Sequence, residues 1–192
     1  MRFVLATANP GKIREMREIL AEFDIEVVDR KEIGIDIDIE ETGSTFLENA
    51  TLKARAICIA SGLPAIADDS GLVVDALNGG PGVYSSSYGG ENLTDSERCE
   101  YLLEIMKGKK QRSAKFVCIV VCMFPDGSLI TAEGECLGEI TAKPQGYYGF
   151  GYDPIFRVGG TDRTMAEMHP HEKNFLSHRN EALRNLAIQI SL

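Results

Sequence analysis

No stretch of this 192-residue chain is apolar for long enough to cross a membrane. The longest apolar run lies around residues 116–124, far short of the roughly 18 residues that a helical span needs. The start, Met1-Arg2-Phe3-Val4-Leu5, lacks the longer apolar segment and small-residue cleavage site of a secretory signal. The expectation is a cytoplasmic protein with no membrane partner. Basic residues are scarce too: 20 Lys and Arg stand against 29 Asp and Glu, a formal net charge of −9. That disfavours generic nucleic-acid binding, which needs a basic face to neutralise phosphates. A small anionic ligand is still allowed, because a local pocket of Lys, Arg and backbone N–H groups can bind one inside an acidic protein.

Cysteine chemistry is thin. The five cysteines are odd in number and none stands as Cys-x-x-Cys. Cys118 and Cys122 share a strand face but lie roughly 13 Å apart at strand rise, beyond disulfide reach. Buried, reduced thiols are expected. Internal repeats and low-complexity tracts are also lacking.

What is present alternates between strand and helix patterns. Residues 3–6 form a short apolar run, and the chain turns at Thr7-Ala8-Asn9-Pro10-Gly11-Lys12. Ile13, Met16, Ile19, Leu20 and Phe23 then fall at helical spacing. Residues 27–39 alternate apolar and acidic, placing Ile35, Ile37 and Ile39 on one strand face. Thr45 and Glu48 have capping-box spacing, which predicts a helix to about Ser61 closed by Gly62 and Pro64. Residues 65–67 read as a brief strand ending in a turn at Asp68-Asp69-Ser70-Gly71, with residues 72–76 as another. A Gly/Pro-rich loop, 78–90, precedes a second capping box at Thr94 and Glu97 and a helix to about Lys107. Residues 116–124 and 129–137 flank Pro125-Asp126-Gly127-Ser128 as a hairpin, and a last helix runs from about Ser177 to Ile190. The fold class is α/β with a mixed sheet, in two lobes with a cleft between them.

Four groups of residues can do chemistry. Lys12 follows a glycine at the mouth of a helix, where free N–H groups and the positive dipole end favour an anion, and Thr7 and Asn9 add a hydroxyl and an amide. The spacing is not that of a Walker A loop. Asp68-Asp69 and Glu40-Glu41 supply hard oxygen ligands of the type that suits Mg²⁺. Gly149-Phe150-Gly151-Tyr152-Asp153-Pro154 lets backbone approach a flat ligand beside an aromatic ring. Lys173, His178 and Arg179 provide donors for a carbonyl oxygen or a phosphate. The latter two are placed in the first turn of a helix, where a cation opposes the dipole.

In order and register, these pieces resemble the inosine triphosphate pyrophosphatase family. The stretches that carry the resemblance are Thr7 to Lys12, Glu40 to Gly43 with Thr45 to Ala50, and Asp68 to Leu72. They continue with Pro81 to Ser85, Gly149 to Pro154, and Glu172-Lys173-Asn174 through Ser177-His178-Arg179. The resemblance implies one elongated, two-lobed domain over residues 1–192, with a long mixed central sheet flanked by helices and the active site in the cleft. It implies Mg²⁺-dependent hydrolysis of non-canonical purine nucleoside triphosphates (ITP, dITP, XTP) to the monophosphate and pyrophosphate, in a homodimer. Thr7, Asn9 and Lys12 are then expected to hold the triphosphate, assisted by Lys53. Glu40 with Asp68 or Asp69 would hold the metal, Asp69 would accept the proton, and Ser70 would touch substrate. Phe150, Gly151, Tyr152 and Asp153 would line the base and sugar, and Lys173, His178 and Arg179 would contact the base edge. One departure stands out: many relatives carry an arginine just after Pro-Gly-x-Tyr-Ser, where this chain has Ser85-Ser86-Ser87-Tyr88. Three rivals are weighed against this expectation. They are a Maf-like pyrophosphatase for modified or pyrimidine nucleotides, a non-catalytic nucleotide sensor, and an acidic interaction module.

Overall fold

The computed structural model describes residues 2–191. Strand β1 (Arg2–Leu5) leads into helix α1 (Pro10–Ala21), and β2 (Glu26–Asp29) follows. Helix α2 (Phe46–Ser61) precedes β3 (Ala65–Val74), and α3 (Asp95–Ile105) comes next. The second half holds β4 (Ser113–Met123), β5 (Leu129–Ile140), β6 (Phe156–Val158), α4 (Pro170–Leu176) and α5 (His178–Ile190). The strands form one six-stranded sheet in the order β2-β1-β3-β4-β5-β6. β1 runs parallel to β2 and β3, with Phe3 opposite Val27 and Val4 opposite Ala65, while β5 and β6 are antiparallel. The α/β class and the mixed sheet are therefore as expected. Among the described residues, no helix is long and apolar enough to cross a membrane.

The helix signals in the sequence work as chemistry. Thr45 caps α2 by accepting from the Glu48 N–H, and the Glu48 carboxylate returns to the Thr45 N–H. Gly62 ends the helix at φ +66°, a conformation that residues with a Cβ rarely adopt. Thr94 and Glu97 repeat the box at α3.

Three expectations are corrected. Ile35, Ile37 and Ile39 do not form a strand. Gly34 turns the chain at φ +77°, and Arg30 then fixes the irregular segment by donating to the Ile37 carbonyl at 2.5 Å. The turn expected at Ser70-Gly71 does not form, and β3 runs straight through both aspartates to Val74. Turn-like composition is overridden because tertiary neighbours satisfy the strand, with the Leu72 N–H donating to Ser85 Oγ at 2.9 Å. Helix α1 starts at Pro10 rather than Ile13, since proline is suited to the first helical position. β6 and α4 were not expected at all.

The chain divides into two compact units. The first comprises the chain up to Asp69, Cys118–Gly134 and the chain from His178. Its strands alternate their faces. Phe3 and Leu5 pack with Met16, Ile19 and Leu20 of α1 and with Leu183 and Leu186 of α5, whereas Val4 and Ala6 pack with Ala50, Ala54 and Ile57 of α2. Helices therefore cover both faces of β1, as a strand with parallel partners on either side requires. At Gly134 a Cβ would lie 2.2 Å from the His178 carbonyl, so glycine lets the start of α5 settle on β5. The second unit, Ser70–Val117 and Glu135–Ser177, has its own core of Leu72, Leu102, Met106, Phe116, Ile140, Tyr152 and Phe156. The five cysteines are buried and none forms a disulfide.

Candidate active site

The loop from β1 to α1 sets the first group. Asn9 is the N-cap: its Oδ1 accepts from the N–H groups of Gly11 at 2.9 Å and Lys12 at 3.2 Å. Pro10 has no N–H, and the Ile13 N–H goes to the Asn9 carbonyl at 3.0 Å. The N–H groups expected to stand free for an anion are thus already bonded, which corrects that expectation. Thr7 supports the turn by accepting from the Asn9 N–H at 3.2 Å. The loop offers the positive end of the helix, and the Lys12 side chain, 15% exposed, turns to Asp68.

Lys12 leads to a buried charge network. Its Nζ lies 3.0 Å from Asp68 Oδ2. The same oxygen accepts from Nε and Nη2 of Arg179, each at 3.1 Å, while Arg179 Nη1 donates to Glu15 Oε2 at 2.5 Å. The Asp68 side chain has 0% of its surface exposed and that of Arg179 has 2%. Burial alone would push the Asp68 carboxyl up, but Lys12, Arg179 and Lys53 outweigh it and hold the group well below the ordinary carboxylate range. Burial likewise works against the Arg179 charge, and Asp68 and Glu15 overcome it. The Cys118 thiol, 3.9 Å from Asp68 Oδ2, is raised by burial and by that carboxylate, so it stays neutral.

Asp69 is the next residue of β3, and the pleat turns it to the opposite face. Its Oδ1 lies 3.3 Å from Lys53 Nζ, and its Oδ2 accepts from Asn49 Nδ2 at 3.3 Å. Lys53 also donates to Glu41 Oε2 at 2.9 Å. Asn49 and Lys53 stand four residues apart on one face of α2, so both reach the same strand. Asn49 Oδ1 accepts from the Gly43 N–H at 2.7 Å, tying the acidic loop to the helix. A Cβ at Gly43 would lie 2.6 Å from that oxygen. Acids from two separate stretches thus meet at one lysine, and Glu40 stands exposed beside Glu41.

The two aspartates differ in charge state as well as direction. Burial raises the Asp69 pKa; Lys53 and Lys12 oppose it, Glu41 and Asp68 add to it, and the balance stays above the ordinary value. Lys53 is pulled down by burial, but Asp69, Asp68 and Glu41 outweigh this and keep it charged. Asp68 is therefore locked as an anion, whereas Asp69 is a better proton acceptor than a solvated aspartate.

The second unit carries the glycine-aromatic group. Asp153 Oδ2 accepts from the Phe150 N–H at 2.9 Å and from Lys173 Nζ at 2.7 Å. The Lys173 ammonium lies 4.6 Å from the centroid of the Phe150 ring, a cation–π distance. Gly149, at φ +81°, leaves room for this: a Cβ there would lie 1.9 Å from Asp153 Oδ2. Tyr152 is placed differently from a ligand-lining residue. Its ring is buried in the core, and its hydroxyl donates to the Ser85 carbonyl at 2.8 Å. Ser85 in turn donates to the Gly82 carbonyl at 2.6 Å, so this loop is pinned by serine and tyrosine. Ser70 is half-buried in β3.

The structure therefore gathers Lys12, Lys53, Asp68, Asp69 and Arg179 in the first unit, with His178 buried at the start of α5. Phe150, Asp153 and Lys173 gather in the second. Arg179, expected at the base edge, has its guanidinium on Asp68 and Glu15. Sequence reasoning missed Glu15 and Asn49, and read Glu41 as a metal ligand without its pairing to Lys53. Helical spacing carried the signal for the first two, since Glu15 lies one turn after Lys12 and Asn49 one turn before Lys53.

Comparison with known proteins gives the class to which this arrangement belongs. Residues 3–189 match the Ham1 family. The chain is 47% identical over 191 residues to the dITP/XTP pyrophosphatase of Coxiella burnetii, covering 97% of this chain and 95% of that protein. It is 48% identical over 186 residues to the dITP/XTP pyrophosphatase of Bacillus subtilis, covering 96% and 94%. The solved Ham1 protein structure from Staphylococcus aureus superposes with a TM-score of 0.89 at 42% identity, covering 100% of this chain and 98% of that one. The Ham1 protein of Coxiella burnetii gives 0.91 at 45% identity with the same coverage. This chain belongs to the Ham1 family. The family resemblance carried by the six motifs is borne out.

Proposed function

We propose that this protein hydrolyses inosine- and xanthosine-type purine nucleoside triphosphates to the monophosphate and pyrophosphate. The observation that carries it is the meeting of Glu41 and Asp69 at Lys53, beside the Lys12–Asp68 pair. Relatives named dITP/XTP pyrophosphatase over nearly the whole chain support it.

Cleavage between the α and β phosphates needs a positioned water, a proton acceptor and positive charge on the leaving group. Asp69 takes the water's proton, a task suited to a carboxyl whose pKa burial has raised. Lys53 orients it through Oδ1 and Asn49 through Oδ2. Each lysine ammonium has three donors, so Lys12 and Lys53 can hold their carboxylates and still reach phosphate oxygens. Thr7 and the Asn9 amide flank the same anion. Arg179 and Glu15 hold Asp68, which fixes Lys12 in turn. The family resemblance assigns Phe150, Gly151 and Asp153 to the base and sugar, Lys173 and His178 to the base edge, and Ser70 to a substrate contact. Donors at that edge suit the carbonyl at position six of inosine and xanthosine and oppose the amino group of adenine.

Magnesium is part of the proposal. Mg²⁺ takes hard oxygen ligands, often one or two carboxylates with phosphate oxygens and water, and the acidic donor set fits that habit. Glu40 and Asp69 would be its protein ligands, while Asp68, committed to Lys12 and Arg179, would act through its charge. When bound, the ion supplies Lewis-acid stabilisation of phosphate oxygens. A homodimer and a cytoplasmic location belong to the same expectation, and a sizing column tests the first.

The deciding experiment measures pyrophosphate release from dITP, XTP, dATP and dUTP, with Mg²⁺ and with excess chelator. Release from dITP and XTP that chelation abolishes is the expected result. Binding without release would make the protein a sensor. Preference for the pyrimidine nucleotide would favour the Maf-like alternative.

A further inference from the structure

The peptide unit that follows Phe150 is held from an element outside all six motifs. The Gly151 N–H donates to Asp95 Oδ2 at 2.7 Å, across 56 positions of sequence. One helical turn further along α3, the Cys99 thiol donates to the Gly151 carbonyl at 3.3 Å. Burial, reinforced by Asp95 and Asp153, pushes that thiol up to about 12, so it keeps its proton and acts as a donor. The preceding N–H, that of Phe150, is taken by Asp153. Two carboxylates therefore bind consecutive amides around one aromatic residue, one from the motif itself and one from the first turn of α3. Buried Arg98 steadies the start of α3, approaching Asp95 Oδ1 at 3.6 Å while donating to the Leu93 carbonyl at 3.0 Å. Thr94 and Glu97 lock the same turn through their capping box. Asp95 therefore has little freedom to follow the loop if the loop moves.

We propose that Asp95, supported by Cys99, is a positioning residue for base selection: it fixes the backbone that carries Phe150 and so sets how tightly the purine is gripped. This rests on the assignment of Phe150 to the base. An aromatic platform gains affinity by being ordered before the ligand arrives, and a displacement of about 1 Å in a supporting segment can cost 10²-fold. Asp95 itself touches no reacting atom, so its loss leaves the phosphate chemistry of the first unit intact.

The test compares Asp95→Ala, Asp95→Asn and the exposed neighbour Ser96→Ala with the parent enzyme, using dITP and dATP as substrates. One charge-assisted hydrogen bond corresponds to roughly a tenfold effect or more. Asp95→Ala is expected to raise KM for dITP about tenfold at unchanged kcat, and to lower the dITP-over-dATP ratio of kcat/KM. Asp95→Asn, which keeps an acceptor oxygen, should recover part of the loss, and Ser96→Ala should match the parent. Loss of kcat in proportion to a loss of folded protein, with KM and the substrate ratio unchanged, would overturn the inference in favour of a merely structural role. So would parental kinetics in Asp95→Ala. Failure of the parent enzyme to turn over dITP would instead sink the assignment of function.

Discussion

Asp68 and Asp69 are consecutive residues of one strand, yet their replacement by asparagine should move stability in opposite directions. Asp68 has no exposed side-chain surface and shares a single oxygen between Lys12 and Arg179. Neutralising it leaves two cations facing an amide, with Glu15 still balancing Arg179. Breaking one side of a buried ion pair costs about 3–5 kcal/mol. For a chain of this size each kcal/mol lowers Tm by roughly 2–4 °C, so Asp68→Asn should melt roughly 6–20 °C below the parent. Asp69 follows the reverse sign. Its folded pKa lies above the ordinary value, so at neutral pH its charge is less welcome in the folded protein than in the unfolded chain. Asp69→Asn should therefore melt at or above the parental temperature while turnover of dITP falls about 10²–10⁴-fold. Thermal melts at pH 7 with a pyrophosphate-release assay on the same samples measure both quantities. If Asp68→Asn melted with the parent, or Asp69→Asn melted well below it, the division between a locked and a reactive carboxylate would be wrong.

Three further outcomes follow from the same geometry. The Asp68 pKa is depressed on folding, so its contribution is complete above the unfolded value of about 3.9 and declines as pH falls below it. The gap in Tm between the parent and Asp68→Asn should accordingly be widest near neutrality and narrow below about pH 4 in a series of buffered melts. Gly43→Ala would put a Cβ 2.6 Å from Asn49 Oδ1 and part the acidic loop from α2; kcat/KM should drop at least tenfold, by an estimate of about 1.5 kcal/mol for the lost contact, with Tm little changed. Lys53→Met leaves Asp69 and Glu41 without their shared cation, and the acidic limb of the rate profile should move to higher pH; an unmoved limb would remove Lys53 from the site.

The parts of the fold legible in sequence were those written in local chemistry. Thr45 with Glu48, Thr94 with Glu97, and Gly62 define helix ends through contacts three or four residues long, and the structure places those ends within a residue or two. The irregular path of 35–43 was not legible, because the bond from Arg30 to the Ile37 carbonyl looks the same in sequence as any arginine before any alternating run. Asp68-Asp69-Ser70-Gly71 misled for the same reason: its composition suits a turn, and only Ser85, supplied from a distant loop, shows that the strand continues. In the candidate site, the identities of Lys12, Lys53 and Asp69 were readable, but who faces whom was not. Helical spacing could have added Asn49 and Glu15, whereas Asp95 meets Gly151 only through the fold.

Asn9 has a consequence for how polyphosphate would be held. A glycine-rich nest grips with main-chain amides, which only a substitution by proline removes and whose dipoles carry no net charge to screen. Here the helix mouth is stoppered by its own amide side chain, so the grip falls to ammonium groups on long, replaceable arms. The strength of such a grip can be graded one residue at a time.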